Sequence, residues 1–217
     1  MSVTAEVSVS EEFHKWYFNS EVWNNGKTSY FGIPMMKCPL DLWVYQELIF
    51  RVKPRVIIET GTWLGGSAQF LANTVLLSHV QNPLVITIDI APAVRGIKHM
   101  HVLQLVGSSI SNEALVRCKQ EIADRSNGPV MVILDSNHRK DHVLAEMNMY
   151  APLVTDSSYM IVEDTNVNEH PVFPDHGPGP YEAVTEFLAD YRGFVIDKEC
   201  EKYGLTFNPS GYLKKVA

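Results

Sequence analysis

Val56-Ile57-Ile58-Glu59-Thr60-Gly61-Thr62-Trp63-Leu64-Gly65-Gly66-Ser67-Ala68 decides the fold of this chain. An apolar, β-branched run closes on an acid. A glycine-rich loop follows, and a helical pattern begins at Ala68-Gln69-Phe70-Leu71-Ala72-Asn73. That order describes a buried parallel strand feeding a ligand loop at a helix N-terminus. No Lys-Ser/Thr pair follows the glycines, so the loop is not a phosphate-gripping P-loop. Its spacing, Gly-x-x-x-Gly-Gly, is not the Gly-x-Gly-x-x-Gly of dinucleotide binders. Glu59 at the strand end suits a ligand that carries an amino group better than one that carries a pyrophosphate. S-adenosylmethionine is such a ligand. The same glycines also serve a bare strand-to-helix turn, so the rest of the chain has to decide.

Downstream, strand and helix patterns alternate. Val85–Asp89, Val102–Val106, Val130–Asp135 and Tyr159–Asp164 read as strands. Asn112–Ala123, Asp141–Met149 and Tyr181–Tyr191 read as helices, with Phe194–Ile196 and Gly211–Leu213 as last strands. Upstream, Glu11–Glu21 suits a short helix and Pro39–Phe50 a longer one, with Pro39 in its first turn. Residues 1–12 are polar and expected to fray. Such alternation predicts an α/β fold, a doubly wound and mostly parallel sheet, whose ligands bind outside the carboxyl ends of the strands. Four strands end in acids: Glu59, Asp89, Asp135 and the pair Glu163-Asp164. Turn propensity explains one such acid, not four converging on one rim.

The 217 residues suffice for one sizeable core, and 46% hydrophobic with 20% charged residues is ordinary for a globular domain. A net charge of −7 without a basic block argues against nucleic acid. No apolar run approaches the roughly 20 residues that cross a bilayer, so no membrane partner is expected. Met1–Glu6 lacks the basic and apolar regions of a signal peptide. Cys38, Cys118 and Cys200 fit neither a metal pattern nor a disulfide framework, which suits a reducing, cytoplasmic setting.

Asp89 lies one strand after the glycine loop, where an acid can reach the hydroxyls of a ribose or cap the next turn. Gly107-Ser108-Ser109 would then lie near the base of an adenosine, unless the serines only cap a turn. Asp135, Glu163 and Asp164 end two consecutive strands. Three carboxylates on one rim repel and call for protons or a cation, and oxygen ligands favour a hard ion such as Mg²⁺. His138, three residues past Asp135, is a candidate general base in its neutral form, with Lys140 as its rival. His142 reads as a helix-surface residue. Thr165–Pro180 is a Pro/Gly/His-rich loop whose Glu169, His170, Asp175 and His176 match no metal template and are left as substrate contacts.

Four stretches resemble the cephalosporin hydroxylase/rhamnosyl O-methyltransferase family. These are Lys37–Glu47, with Asp41-Leu42-Trp43 and Tyr45-Gln46-Glu47; Val56–Ser67; Leu134–His138 with Asp141-His142-Val143; and Val162–Asp164 with Gly177–Pro180 and Asn208–Leu213. The resemblance implies a class I methyltransferase sheet of seven strands with the last antiparallel. It implies S-adenosylmethionine held by Glu59, Gly61, Thr62, Gly65, Ser67, Asp89, Ser108 and Asp135. It implies a divalent metal, Mg²⁺ first, on Asp135, Glu163 and Asp164. His138 stands where catechol-type relatives carry a lysine. Nothing resembles a haem, flavin or facial-triad iron site, so hydroxylation is not implied.

The expected function is metal-dependent transfer of a methyl group from S-adenosylmethionine to a hydroxyl of a small molecule, a natural product or a sugar. Residues 1–36 are read as a substrate wall or oligomer arm and 37–217 as the methyltransferase domain, and a homo-oligomer is expected. Trp23, Tyr30, Phe31 and Trp43 suit a substrate wall, or more simply core and interface. Two rival readings are a nicotinamide-dependent oxidoreductase and a non-catalytic cofactor-binding partner.

Overall fold

The computed structural model describes residues 8–93, 97–125 and 128–216. Ser8 caps α1 (Val9–Phe18) by accepting from the Glu11 amide, so Val9–Glu12 are helical, not frayed. Of the tail expected to fray, residues 1–7 lie outside the described ones. A short α2 (Glu21–Asn24) leads to a two-stranded hairpin, β1 (Ser29–Tyr30) and β2 (Ile33–Pro34), which the sequence reading missed. α3 (Pro39–Val52) starts on its proline and ends on Lys53 in the left-handed region.

The main sheet holds seven strands. They are β3 (Val56–Thr60), β4 (Leu84–Asp89), β5 (Val102–Val106), β6 (Val130–Leu134), β7 (Tyr159–Val162), β8 (Phe194–Ile196) and β9 (Tyr212–Lys215). Their order is β5-β4-β3-β6-β7-β9-β8. The first five of that order run parallel, and β9 lies antiparallel to both β7 and β8. Between the strands run α4 (Gly66–Leu77), α5 (Asn112–Asp124), α6 (Lys140–Tyr150) and α7 (Pro180–Asp190). The expected sheet, with its antiparallel last strand, is the one observed.

Period-two alternation divides the core. Val56, Ile58, Ile86, Val132 and Leu134 pack with Ala114, Val143, Met147 and Phe187 of α5, α6 and α7 on one face. Ile57, Val85, Met131 and Ile133 pack with Leu48, Leu71 and Val75 of α3 and α4 on the other. Both faces are covered, which explains the near-continuous apolar runs of the central strands. β3 and β6 are neighbours whose following helices lie on opposite faces. The crevice at their carboxyl ends is therefore the switch point where ligands of such sheets bind. α1 and α2 pack at this end, where Trp23 and Cys38 meet Leu205 and Phe207.

Candidate active site

Two glycines shape the loop. Gly61 adopts a φ of +86°, and a Cβ there would sit 1.8 Å from the Asp135 carbonyl oxygen. The end of β6 thus lies directly against the loop. Gly65, at φ +83°, caps α4 in the left-handed region. Asp89 pins the same loop from β4. Its Oδ2 accepts from the Thr62 and Trp63 amides, each at 2.9 Å, and its Oδ1 from the Ala91 amide at 3.1 Å.

Two cavities flank the loop. The first, about 360 Å³, is lined by Asp89, Ser108, Ser109, Ser136 and His142. The second, about 220 Å³, is lined by Trp23, Met35, Met36, Lys37, His138 and Asp164. Gly61, Trp63 and Asp135 belong to both walls. The structure brings Gly61, Asp89, Ser108 and Asp135 to the first cavity. Thr62 and Ser67 face the second, and Gly65 lines neither. Glu59 is fully buried beneath the loop. Its Oε2 accepts from Thr87 Oγ1 at 2.7 Å, and its Oε1 has no hydrogen-bond partner among the described residues. Burial pushes its carboxyl above the usual range, against the pull of Lys37. Glu59 lines neither cavity, and its orphaned oxygen is an acceptor with room for a donor from outside the described side chains.

The rim between the cavities is charged. His138 Nε2 lies 3.3 Å from Asp135 Oδ1, and its Nδ1 lies 3.4 Å from Asp164 Oδ2. One ligand atom each from Asp135, His138 and Asp164 falls within 4.8 Å of the others, a spacing that fits a metal ion. Glu163 stands apart from that trio. Lys37 Nζ, 4% exposed, is ion-paired with both Glu163 Oε1 and Asp135 Oδ2. Burial opposes the Lys37 charge, but Asp135, Glu163 and Glu59 outweigh it and hold its pKa above the ordinary value. Lys37 is thus a fixed cation, not a proton acceptor. Burial raises Asp135 too, yet Lys37 and then His138 outweigh it and hold that carboxyl below the usual range. Burial and the neighbouring Asp135 push Glu163 up to about 8 against Lys37.

Three expectations about side chains change. Burial disfavours a charged His138, but Asp164 and Asp135 outweigh it and raise the ring to about 9, a shift toward the charged form and away from the neutral ring expected. Lys140 is no rival for it, because its Nζ pairs with Glu186 Oε2 of α7 at 2.6 Å and lines neither cavity. His142 is not a plain surface residue. Its Nε2 lies 3.2 Å from both Ser109 Oγ and Ser136 Oγ, at the wall of the first cavity. His170 is held by Glu182 at 3.0 Å and stacked on Tyr181, and neither it nor His176 lines the two cavities. Lys37 is the residue that sequence reasoning missed. Its signal was a lone cation inside the apolar run Met35-Met36-Lys37-Cys38-Pro39-Leu40.

Residues 21–216 match the model of the family Rhamnosyl O-methyltransferase/CmcI. A Rhamnosyl O-methyltransferase of Mycobacterium tuberculosis H37Rv is 40% identical over 215 residues, covering 95% of this chain and 84% of its own length. The Mycobacterium leprae protein of the same name is 38% identical over 216 residues, covering 95% and 90%. Among solved structures, one described as CmcI-D160 with Mg and SAM superimposes with a TM-score of 0.65. It is 19% identical, and the match covers 88% of this chain and 78% of that one. At that identity the likeness speaks for the fold alone.

Proposed function

This chain belongs to the Rhamnosyl O-methyltransferase/CmcI family and is an S-adenosylmethionine-dependent O-methyltransferase; from that premise we propose that it methylates a sugar hydroxyl, of the rhamnosyl class, in the second cavity. One observation carries the reading: the two cavities share the wall of Gly61, Trp63 and Asp135. A cofactor in the first cavity therefore presents its reactive end to an acceptor in the second. The acceptor class rests on the names of the curated relatives.

In this reading Glu59 Oε1 takes the cofactor's ammonium, and Asp89 and Ser108 take its ribose and base. The Glu59 orphan and the metal spacing of Asp135, His138 and Asp164 both fit the groups the family uses. Asp135 and Asp164 would hold a divalent ion, Mg²⁺ first, with Glu163 beside them sharing Lys37. Such an ion supplies a Lewis acid that lowers the pKa of an acceptor hydroxyl. The hydroxyl proton passes to a nitrogen of His138. Asp135 and Asp164 favour a proton on the ring, so the ring has to shed it before it accepts another, and its 29% exposed side chain gives that proton a route to water. S-adenosylmethionine, when bound, would supply its sulfonium methyl to the freed oxygen in a single displacement, with S-adenosylhomocysteine as the other product. Alignment across the shared wall supplies much of the rate, since no covalent enzyme intermediate forms.

A cytoplasmic homo-oligomer is part of the proposal. Trp43 and Phe50, seven residues apart on α3 and 59% and 62% exposed, support an interface there. No described helix is long and apolar enough to cross a membrane. Neither the oxidoreductase nor the non-catalytic reading gains support from these comparisons. Calorimetric titration of S-adenosylhomocysteine, with and without Mg²⁺, into wild type and Asp89→Ala tests the cofactor site. Binding that weakens in the variant is expected, and no binding to wild type under either condition would overturn the reading. Transfer of labelled methyl to methyl α-L-rhamnopyranoside, abolished by EDTA, is the expected acceptor result.

A further inference from the structure

At the far end of the first cavity, α6 carries His142, Glu146 and Tyr150 at intervals of four, which sets them along one face. Glu146 and Tyr150 are fully buried. Tyr150 donates to the Ser109 carbonyl at 2.5 Å and so fixes the turn after β5. Ser136 Oγ donates its proton to Glu146 Oε1 at 2.7 Å. A hydroxyl has one proton, so towards His142 Nε2, 3.2 Å away, Ser136 can only accept. Glu146 Oε1 also lies 3.4 Å from Nε2, so two acceptors face that nitrogen and favour the tautomer that carries its proton there, with Ser109 Oγ as a third acceptor. In the neutral ring that leaves Nδ1 as an acceptor. Among the described residues Nδ1 has no hydrogen-bond partner, and His142 lines the cavity.

We infer that His142 is the adenine-reading residue of the cofactor site, its Nδ1 accepting from the exocyclic amine of the base while Ser136 and Glu146 lock its tautomer. This rests on the cofactor reading above. With the amino acid end at Glu59 and the ribose at Asp89, the base is the part left to reach the turn Gly107–Ser109 and the ring of His142. A wall that offers an acceptor selects a base with a donor at that position. Adenine carries an amine there, and hypoxanthine carries a carbonyl that would face the lone pair of Nδ1. A site built to accept a hydrogen bond rejects the analogue that lacks the donor.

The experiment is calorimetric titration of two probes, S-adenosylhomocysteine and its deaminated analogue S-inosylhomocysteine, into wild type, His142→Ala and His142→Gln. Wild type is expected to prefer the adenosyl probe by about tenfold or more, the size of one directed hydrogen bond. His142→Ala should weaken the adenosyl probe about five- to twentyfold and bring the two probes within about threefold of each other. His142→Gln, whose amide oxygen is also an acceptor, should recover part of the preference. A purely structural role would weaken both probes equally. His142→Ala that keeps the wild-type preference overturns the inference while the cofactor site stands. Failure of the adenosyl probe to bind wild type overturns both.

Discussion

The two cavities share a wall but are built from different materials. The proposed cofactor side is made of turns that each follow directly on a strand of the sheet: Gly61 after β3, Asp89 at the end of β4, Ser108 after β5 and Ser136 after β6. Its groups reach the rim because the strands are parallel and in register. The proposed acceptor side is assembled across the chain. Trp23, Met35, Met36 and Lys37 come from before the first strand of the sheet and meet His138 and Asp164 from its far half. The first side is held mainly by hydrogen bonds to backbone and hydroxyls. The second is held by buried charges, Lys37 and His138 among Asp135, Glu163 and Asp164. A buried charge is tolerated only while its partner is present. The acceptor side is therefore the part whose single substitutions should endanger the fold, and the cofactor side the part whose substitutions should tune affinity.

The largest effect should come from Lys37→Met. It strands Glu163 and one oxygen of Asp135 without their cation, and a loss of about 3–5 kcal/mol in urea unfolding is expected. Pairing it with Glu163→Gln should restore about half of that or more, because the charge left behind is removed. A single variant as stable as wild type would break the contrast between the two sides.

The next effect is set by pH. His14 of α1 is 5% exposed, stacked on Phe207, which also meets Trp23 of the second cavity, and bonded to Asn166 Nδ2 at 2.9 Å. Burial lowers its pKa from 6.5 to about 4, against a small opposing pull from Glu11. The unfolded chain takes up the proton first as pH falls. The stabilisation from the neutral ring is complete above about pH 6.5, is lost progressively towards pH 4, and amounts to about 2–3 kcal/mol. Urea unfolding across that window should show a greater loss of stability towards low pH in wild type than in His14→Phe.

Glu59→Gln tests the other side. An uncharged amide still occupies the space but attracts an ammonium less. S-adenosylhomocysteine should bind about tenfold more weakly while stability changes by less than about 1 kcal/mol. Unchanged affinity would remove Glu59 from the cofactor site. Trp43→Ser, on the outer face of α3, should leave monomer stability within about 0.5 kcal/mol and shift the mass seen by light scattering if that face is an interface.

How far each side could be read in advance follows from its construction. Asp89, Asp135 and Asp164 were legible because strand periodicity and a terminal acid place a residue on the rim without further knowledge. Helix boundaries at Pro39 and Asn112 were legible from proline and capping chemistry. Lys37 was not, because its importance lies in partners 98 and 126 residues away. His142 was misjudged for a related reason: helical spacing shows which face it shares with Glu146, but not that this face closes a cavity. Lys140, two residues earlier, points to Glu186 of α7 instead.

The sequence by itself determined the alternation of strand and helix, the glycine loop, the acids at the strand ends and the resemblance to a methyltransferase family. All of these are local patterns or sums of local patterns. Only the tertiary structure decided which of the acids are neighbours, which basic side chain each one faces, and which histidine lies between two acids at the rim. Those depend on through-space distances between segments far apart in the chain, and a few ångströms in a buried setting change the charge state of a group and with it the chemistry the group can do.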